Sequence, residues 1–357
     1  MLMAILRHID LCRYDFDFLI NCKDRKAGYF DAEIRNLGSE IHYIKSQGGA
    51  GPWRYVLALK KFLLDNEPYD IVHSHLDWQG GLIALAARLA KIPCVIVHAH
   101  TSRLISDRLS IRLILPFQKW LIRRCANEFW ACSNEAGDFV FGTKKNVRII
   151  PNAINLDGFM SLNKEDRETM RLQWGSGEDT LVLVHAGSFS EVKNQEFLVD
   201  VAECLEERGV DYCLILAGND DSEYGQKTKN KVGKAGLTDR VKFIGVRNDL
   251  PLVFVGCDCF LFPSLFEGLG IVCVEAQAAG LHCLLSPGIP SGVDMGVGLS
   301  RFMEHMNPEQ WAEEILATVG RPVPSKKMIV DHIRKRGFEI KHNALELEKL
   351  YLSCCCQ

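Results

Sequence analysis

Phe262-Pro263-Ser264-Leu265-Phe266-Glu267-Gly268-Leu269-Gly270-Ile271-Val272-Cys273-Val274-Glu275-Ala276 reads as a strand end, a tight turn and a helix start. The apolar run 259–262 has strand character, and Pro263 and Ser264 stop it. Gly268 and Gly270 let the backbone turn sharply and come close to a ligand. A buried helix over 271–279 follows, ended by Gly280. The turn offers unpaired backbone N–H groups at a helix N-terminus, a natural place for an anion. Glu267 lies before this turn and Glu275 on the helix behind it. A plain strand-to-helix turn accounts for the glycines and for Glu267, which the helix dipole favours. It does not account for Glu275, because an acid in so apolar a helix needs a partner.

Working outward, the same strand–helix alternation recurs along the chain. Strands are expected at 14–21, 41–44, 71–75, 94–98, 128–133 and 147–150, then at 181–186, 213–217, 241–244, 259–262 and 282–286. Helical patterns separate most of them, which implies βαβ units and parallel sheets. A helix over 105–126 contains Pro116, expected to kink or split it. The polar stretch 151–180 breaks the rhythm and is expected to be the linker. The domain reading is 1–160, 161–335, and a C-terminal helix and tail over 336–357 that packs back on the first domain. Two doubly wound α/β domains would face a cleft with their strand C-termini.

A chain of 357 residues suffices for two such domains. A net charge of −3 gives no global attraction to nucleic acid. No apolar run approaches the roughly 20 residues that span a bilayer. The start carries charge too early for a secretory leader. The fourteen cysteines sit mostly in apolar runs and read as buried thiols in a reducing cytoplasm. Cys257 and Cys259 lack a second ligand pair at zinc spacing, so no metal is expected there.

A second phosphate-type element follows the 181–186 strand: Gly187-Ser188-Phe189-Ser190-Glu191-Val192-Lys193-Asn194. Lys193 would open a helix, where its charge opposes the dipole unless an anion arrives there. Together with Pro151-Asn152-Ala153-Ile154-Asn155 and the Glu267/Glu275 frame, this segment resembles the family-4 retaining glycosyltransferases of GT-B fold. It is most similar to bacterial exopolysaccharide and capsule enzymes. The resemblance implies a nucleotide-diphosphate sugar donor, a UDP-sugar being expected, and a saccharide or lipid-linked saccharide acceptor. It implies no metal requirement. Glu267 would lie by the sugar hydroxyls and Glu275 by the ribose. Gly187, Ser188, Gly268, Leu269, Gly270 and Ile271 would line the donor, and Lys193 would neutralise the departing diphosphate. The family's usual arginine, five residues before that lysine, is Ser188 in this chain. Arg247, after another strand, is the candidate substitute.

Two histidine pairs end first-domain strands, His73/His75 and His98/His100. As metal ligands they lack an assignable third partner. The resemblance assigns His100, in His100-Thr101-Ser102, to the donor sugar, with His98 as runner-up. Asp15 and Asp17 form a D-x-D pattern, but strand alternation puts both on an exposed face. The stretch 103–124 mixes Arg103, Arg108, Arg112, Lys119, Arg123 and Arg124 with apolar residues. Such a region can lie on an anionic membrane surface, so a cytoplasmic protein peripheral to the inner membrane face is expected. Relatives begin with a strand and a Gly-Gly loop ahead of the helix that opens this chain, so the first domain is expected to lack its first strand. Alternatives are a sugar-nucleotide epimerase of the same fold and a catalytically impaired sugar-nucleotide-binding protein.

Overall fold

The computed structural model describes residues 2–22, 28, 30–66, 68–104, 109–142 and 146–355. The chain forms two compact units, one of residues 1–153 and 340–357, the other of residues 154–339.

In the first unit β1 (Asp17–Cys22) and β2 (Glu40–Lys45) form a parallel pair. β3 (Ile71–Ser74), β4 (Cys94–Ala99), β5 (Glu128–Ala131) and β6 (Arg148–Ile149) form a parallel sheet in that order. No ladder joins the two sheets among the described residues. β4 is buried along its whole length, as its Val95–Val97 run requires of a strand covered on both faces. The Gly80–Leu89 helix packs tightly on the Leu109–Cys125 helix, where a Cβ on Gly81 would lie 2.5 Å from the Gln118 carbonyl oxygen. That second helix runs on through Pro116 as one element, so the expected split does not occur. The C-terminal helix Ile340–Cys355 belongs to this unit. Its Ile340, Leu347 and Tyr351 join Ile96 and Trp130 in the core.

The second unit holds β7 (Leu181–Ala186), β8 (Tyr212–Ala217), β9 (Val241–Gly245), β10 (Cys259–Phe262), β11 (His282–Leu285) and β12 (Ser300–Phe302). All pairings are parallel, in the order β12-β11-β10-β7-β8-β9. This is the doubly wound order, and its direction reverses between β7 and β10. The polar stretch after residue 153 is not a bare linker. It contains the Lys164–Gln173 helix, whose capping box on Asn163 and Asp166 starts it firmly. The charges there are structural: Arg171, almost fully buried, meets Asp258 at 3.1 Å, and Arg167 pairs with the same carboxylate. Asp258 also accepts the Val182 N–H at 2.7 Å, tying the helix to the start of β7. The described cysteines are all free thiols, most of them buried.

Candidate functional site

Because β7 and β10 are neighbours, the loops at their C-terminal ends meet at the reversal point of the sheet. The Leu265 N–H donates to the Val192 carbonyl at 2.7 Å, locking one loop to the other. Lys193 Nζ then reaches Glu267 Oε1 at 2.6 Å and sits 4.8 Å from the centre of the Phe262 ring. Asn194 takes the left-handed conformation at φ 55°, and the Gln195–Glu207 helix starts directly after it. Gly270 does the same at φ 85° and supplies no side-chain cap to the Ile271–Ala278 helix. Its first amides, on Ile271 and Val272, are thus left without a capping side chain at a positive dipole end.

Glu275 lies one turn further on and shares the partly exposed face of this helix with Ile271. Its carboxyl makes no hydrogen bond or ion pair among the described residues. Part of its side chain stays open to solvent, yet burial pushes its pKa up to about 7. Hydrogen-bond donors from a ligand would offset this cost and stabilise its charged form. The partner required on sequence grounds does not come from the described protein.

Beneath the site runs a hydrogen-bonded chain that sequence reading missed. His185 is fully buried; its Nδ1 faces the Leu261 carbonyl at 2.9 Å and its Nε2 the Gln195 amide nitrogen at 3.3 Å. Gln195 also donates to the Ser188 carbonyl at 3.2 Å. Burial lowers the His185 pKa to about 4, so the imidazole is neutral and its Nδ1–H donates to Leu261. The available signal was one polar residue in an otherwise apolar strand. Gly187 bonds back to the Ala217 carbonyl, and a Cβ on Gly218 would fall 2.0 Å from the Gly187 oxygen. Ser188 itself is exposed. Arg247 follows the edge strand β9, and Asp249 grips it through both carboxylate oxygens, Nε to Oδ1 at 2.7 Å. The structure thus groups Lys193, Glu267 and the Gly268–Ile271 turn, and ties Arg247 to Asp249.

In the first unit, period-two alternation on the adjacent strands β3 and β4 brings all four histidines together. His73 Nε2 lies 3.2 Å from His98 Nδ1, and His75 Nδ1 lies 3.0 Å from His100 Nε2. Asp77, at φ 51°, accepts the backbone N–H groups of His100 and Thr101 and the Thr101 hydroxyl. It fixes the loop that carries His100, and nothing in its local sequence marked it. Asp15 and Asp17 are both exposed, and the Tyr69 hydroxyl donates to Asp17 at 2.7 Å.

Residues 2–153 match the family model described as glycosyl transferase 4-like domain, and residues 166–335 match glycosyl transferases group 1. The putative glycosyltransferase EpsF of Bacillus subtilis (strain 168) is 34% identical over 98% of this chain and 92% of its own length. The chain belongs to the group 1 glycosyltransferases. This glycosyltransferase is also 28% identical to an Escherichia coli UDP-Gal:alpha-D-GlcNAc-diphosphoundecaprenol alpha-1,3-galactosyltransferase, over 76% of this chain and 71% of that one. Its fold matches Anabaena Alr3699/HepE, crystallised with UDP and glucose, with a TM-score of 0.76 at 18% identity, covering 94% of this chain and 99% of that one. The architecture is that of the GT-B glycosyltransferases, two α/β units with parallel sheets. Among the described residues of this glycosyltransferase no helix is long and apolar enough to cross a membrane.

Proposed function

We propose that this glycosyltransferase moves a sugar from a UDP-sugar to a saccharide or lipid-linked saccharide acceptor, with retention at the anomeric carbon. The observation that carries the reading is Glu275, a carboxyl without a described protein partner, set behind an uncapped turn at the reversal point of the sheet. Ribose hydroxyls supply the missing donors to Glu275. The turn amides of residues 268–271 take sugar and diphosphate oxygens. Glu267 accepts from sugar hydroxyls while its contact with Lys193 holds the ammonium in place. As the glycosidic oxygen leaves, Lys193 meets the growing negative charge on the diphosphate. His100 takes the role its family motif implies, orienting the donor sugar. The acceptor hydroxyl then attacks on the face the diphosphate leaves. The names of the Escherichia coli relative and of the Anabaena complex favour UDP as the nucleotide and a lipid-linked acceptor.

The acceptor chemistry gives the exposed apolar stripe of the first unit a role. Leu109, Leu113, Phe117 and Trp120 recur along one helix at 45–71% exposure, flanked by exposed Arg112, Arg123 and Arg124. Trp53 and Leu57 on the Pro52–Asp65 helix are similarly exposed, at 67% and 63%. Aromatic and aliphatic side chains beside arginines suit an anionic lipid surface. Lys119 does not contribute, because its amine turns inward to the Phe139 carbonyl. Arg108 lies outside the described residues.

The test is a transfer assay with UDP-sugars and polyprenyl-diphosphate sugar or free saccharide acceptors, with the product linkage read by NMR. Acceptor-dependent product with the donor's anomeric configuration is expected. An inverted linkage overturns retention. Sugar epimerisation without acceptor points to the epimerase reading, and nucleotide binding with no turnover on any acceptor points to a binding protein.

A further inference from the structure

The histidine cluster of the first unit is not used up by the proposed donor chemistry, which assigns a role to His100 alone. His73, His75 and His98 each present a ring nitrogen, and these lie within 4.8 Å of one another. The closest pair, His73 Nε2 and His98 Nδ1, is 3.2 Å apart. Two nitrogens each about 2.0–2.1 Å from a tetrahedral zinc ion are separated by about 3.4 Å, so this pair already stands near chelating distance.

Two further observations point the same way. The Tyr351 hydroxyl lies 2.9 Å from His73 Nδ1, which orients the ring with Nε2 toward the cluster, as outer-shell partners do for ligating histidines. A cavity of about 560 Å³, bordered by His75, His100, Arg7 and Asn152, gives the cluster a way in from solvent. The nearby carboxylate of Asp77 is taken by backbone amides, so the donor set is all nitrogen. Imidazole donors suit zinc, copper, nickel and cobalt, whereas magnesium and calcium require oxygen.

We infer that His73, His75 and His98 form a binding site for one divalent transition-metal ion of the zinc class, with a fourth position open toward the cavity. The site is independent of the donor reading, since no residue of the Lys193–Glu267–Glu275 group takes part. Any effect of the ion on catalysis would pass through His75 or His98, whose rings both contact His100.

The full-length protein, stripped with chelator and purified without a histidine tag, is titrated with Co²⁺ and followed by its visible absorption. One equivalent bound with the intense ligand-field bands of a four-coordinate site, abolished by added Zn²⁺, is expected. His73→Ala and the milder His75→Gln should each weaken binding at least tenfold. Tyr351→Phe should weaken it about tenfold while leaving the three ligands present. Circular dichroism and UDP binding report whether each variant is folded. The proposal is overturned if folded wild-type protein shows no four-coordinate cobalt spectrum. It is equally overturned if a folded His73→Ala/His75→Gln double variant binds cobalt as wild type does, which would place the ion on surface histidines.

Discussion

Burial disfavours the charged form of the Glu275 carboxyl and holds its pKa up to about 7, above its ordinary 4.5. Below 4.5 it is protonated in folded and unfolded chains alike and costs nothing. As pH rises the unfolded chain ionises first, so folding stability falls until the cost is complete above about 7. Glu275→Gln should therefore raise the melting temperature of the ligand-free protein at pH 8 and leave it unchanged at pH 4, as read by scanning calorimetry. Ligand binding reverses the sign. If ribose hydroxyls stabilise the charged carboxylate, its pKa falls and binding releases a proton. UDP affinity should then rise with pH from 6 to 8 and level off, and the slope should vanish in Glu275→Gln. At Lys193, removal of the ammonium should cost about 100-fold or more in kcat, with Lys193→Arg restoring part of it. An unchanged kcat in Lys193→Ala would remove the diphosphate role. Lys193 and Glu275 stand out in the sequence because each opposes its local setting, a cation at a helix start and an acid in an apolar helix, whereas Glu267, which the helix dipole favours, stands out only with the turn it precedes. His185, Gln195 and Asp77 do not stand out, because their partners lie on other strands, helices and loops and no local pattern records such contacts.

At the scale of elements, the site depends on how closely two loops approach. Gly218→Ala would drive a Cβ into the Gly187 carbonyl, at a backbone φ of 149° that side chains rarely adopt. The β7 loop must then shift, so this variant should lose UDP affinity, measured by calorimetry, while keeping its far-UV spectrum. Retained affinity would mean that the loop gives way without harm to the site. Asp258 binds two arginines and the β7 backbone. Asp258→Ala strands the nearly buried Arg171 and should cost about 3 kcal/mol in urea unfolding; a loss below about 1 kcal/mol would show that the arginines find other partners. Alternation of apolar runs revealed most strands of both units to within a few residues, since parallel strands covered on both faces must be continuously apolar. The three-residue β12 and the short Asp31–Asn36 helix have no such run and were missed. The Lys164–Gln173 helix reads as linker in sequence because its stabilisation is ionic and its partner Asp258 is distant in sequence.

For the whole molecule, two parallel α/β units and the glycosyltransferase assignment were legible because the motifs lie where loops must converge on a sheet reversal. The nature of the apolar surface was only half legible: the charge and helix pattern of 103–124 showed, whereas the exposed Trp53 and Leu57 of a separate helix did not. If that surface meets membrane, the protein should float with vesicles of anionic lipid at low salt, less so at high salt, and Leu113→Asp/Phe117→Asp should abolish flotation without loss of UDP binding. No flotation of the wild type at low salt would exclude it. The central claim, that Lys193, Glu267 and Glu275 form a nucleotide-sugar clamp, is tested most directly by titrating UDP into the wild-type protein and into Lys193→Ala and Glu275→Gln in a calorimeter at pH 8. One UDP per wild-type chain is expected, with affinity at least about tenfold weaker in each folded variant, in keeping with about 1.4 kcal/mol or more per lost charged contact. Equal affinity in all three proteins, or no UDP binding by the wild type, would contradict it.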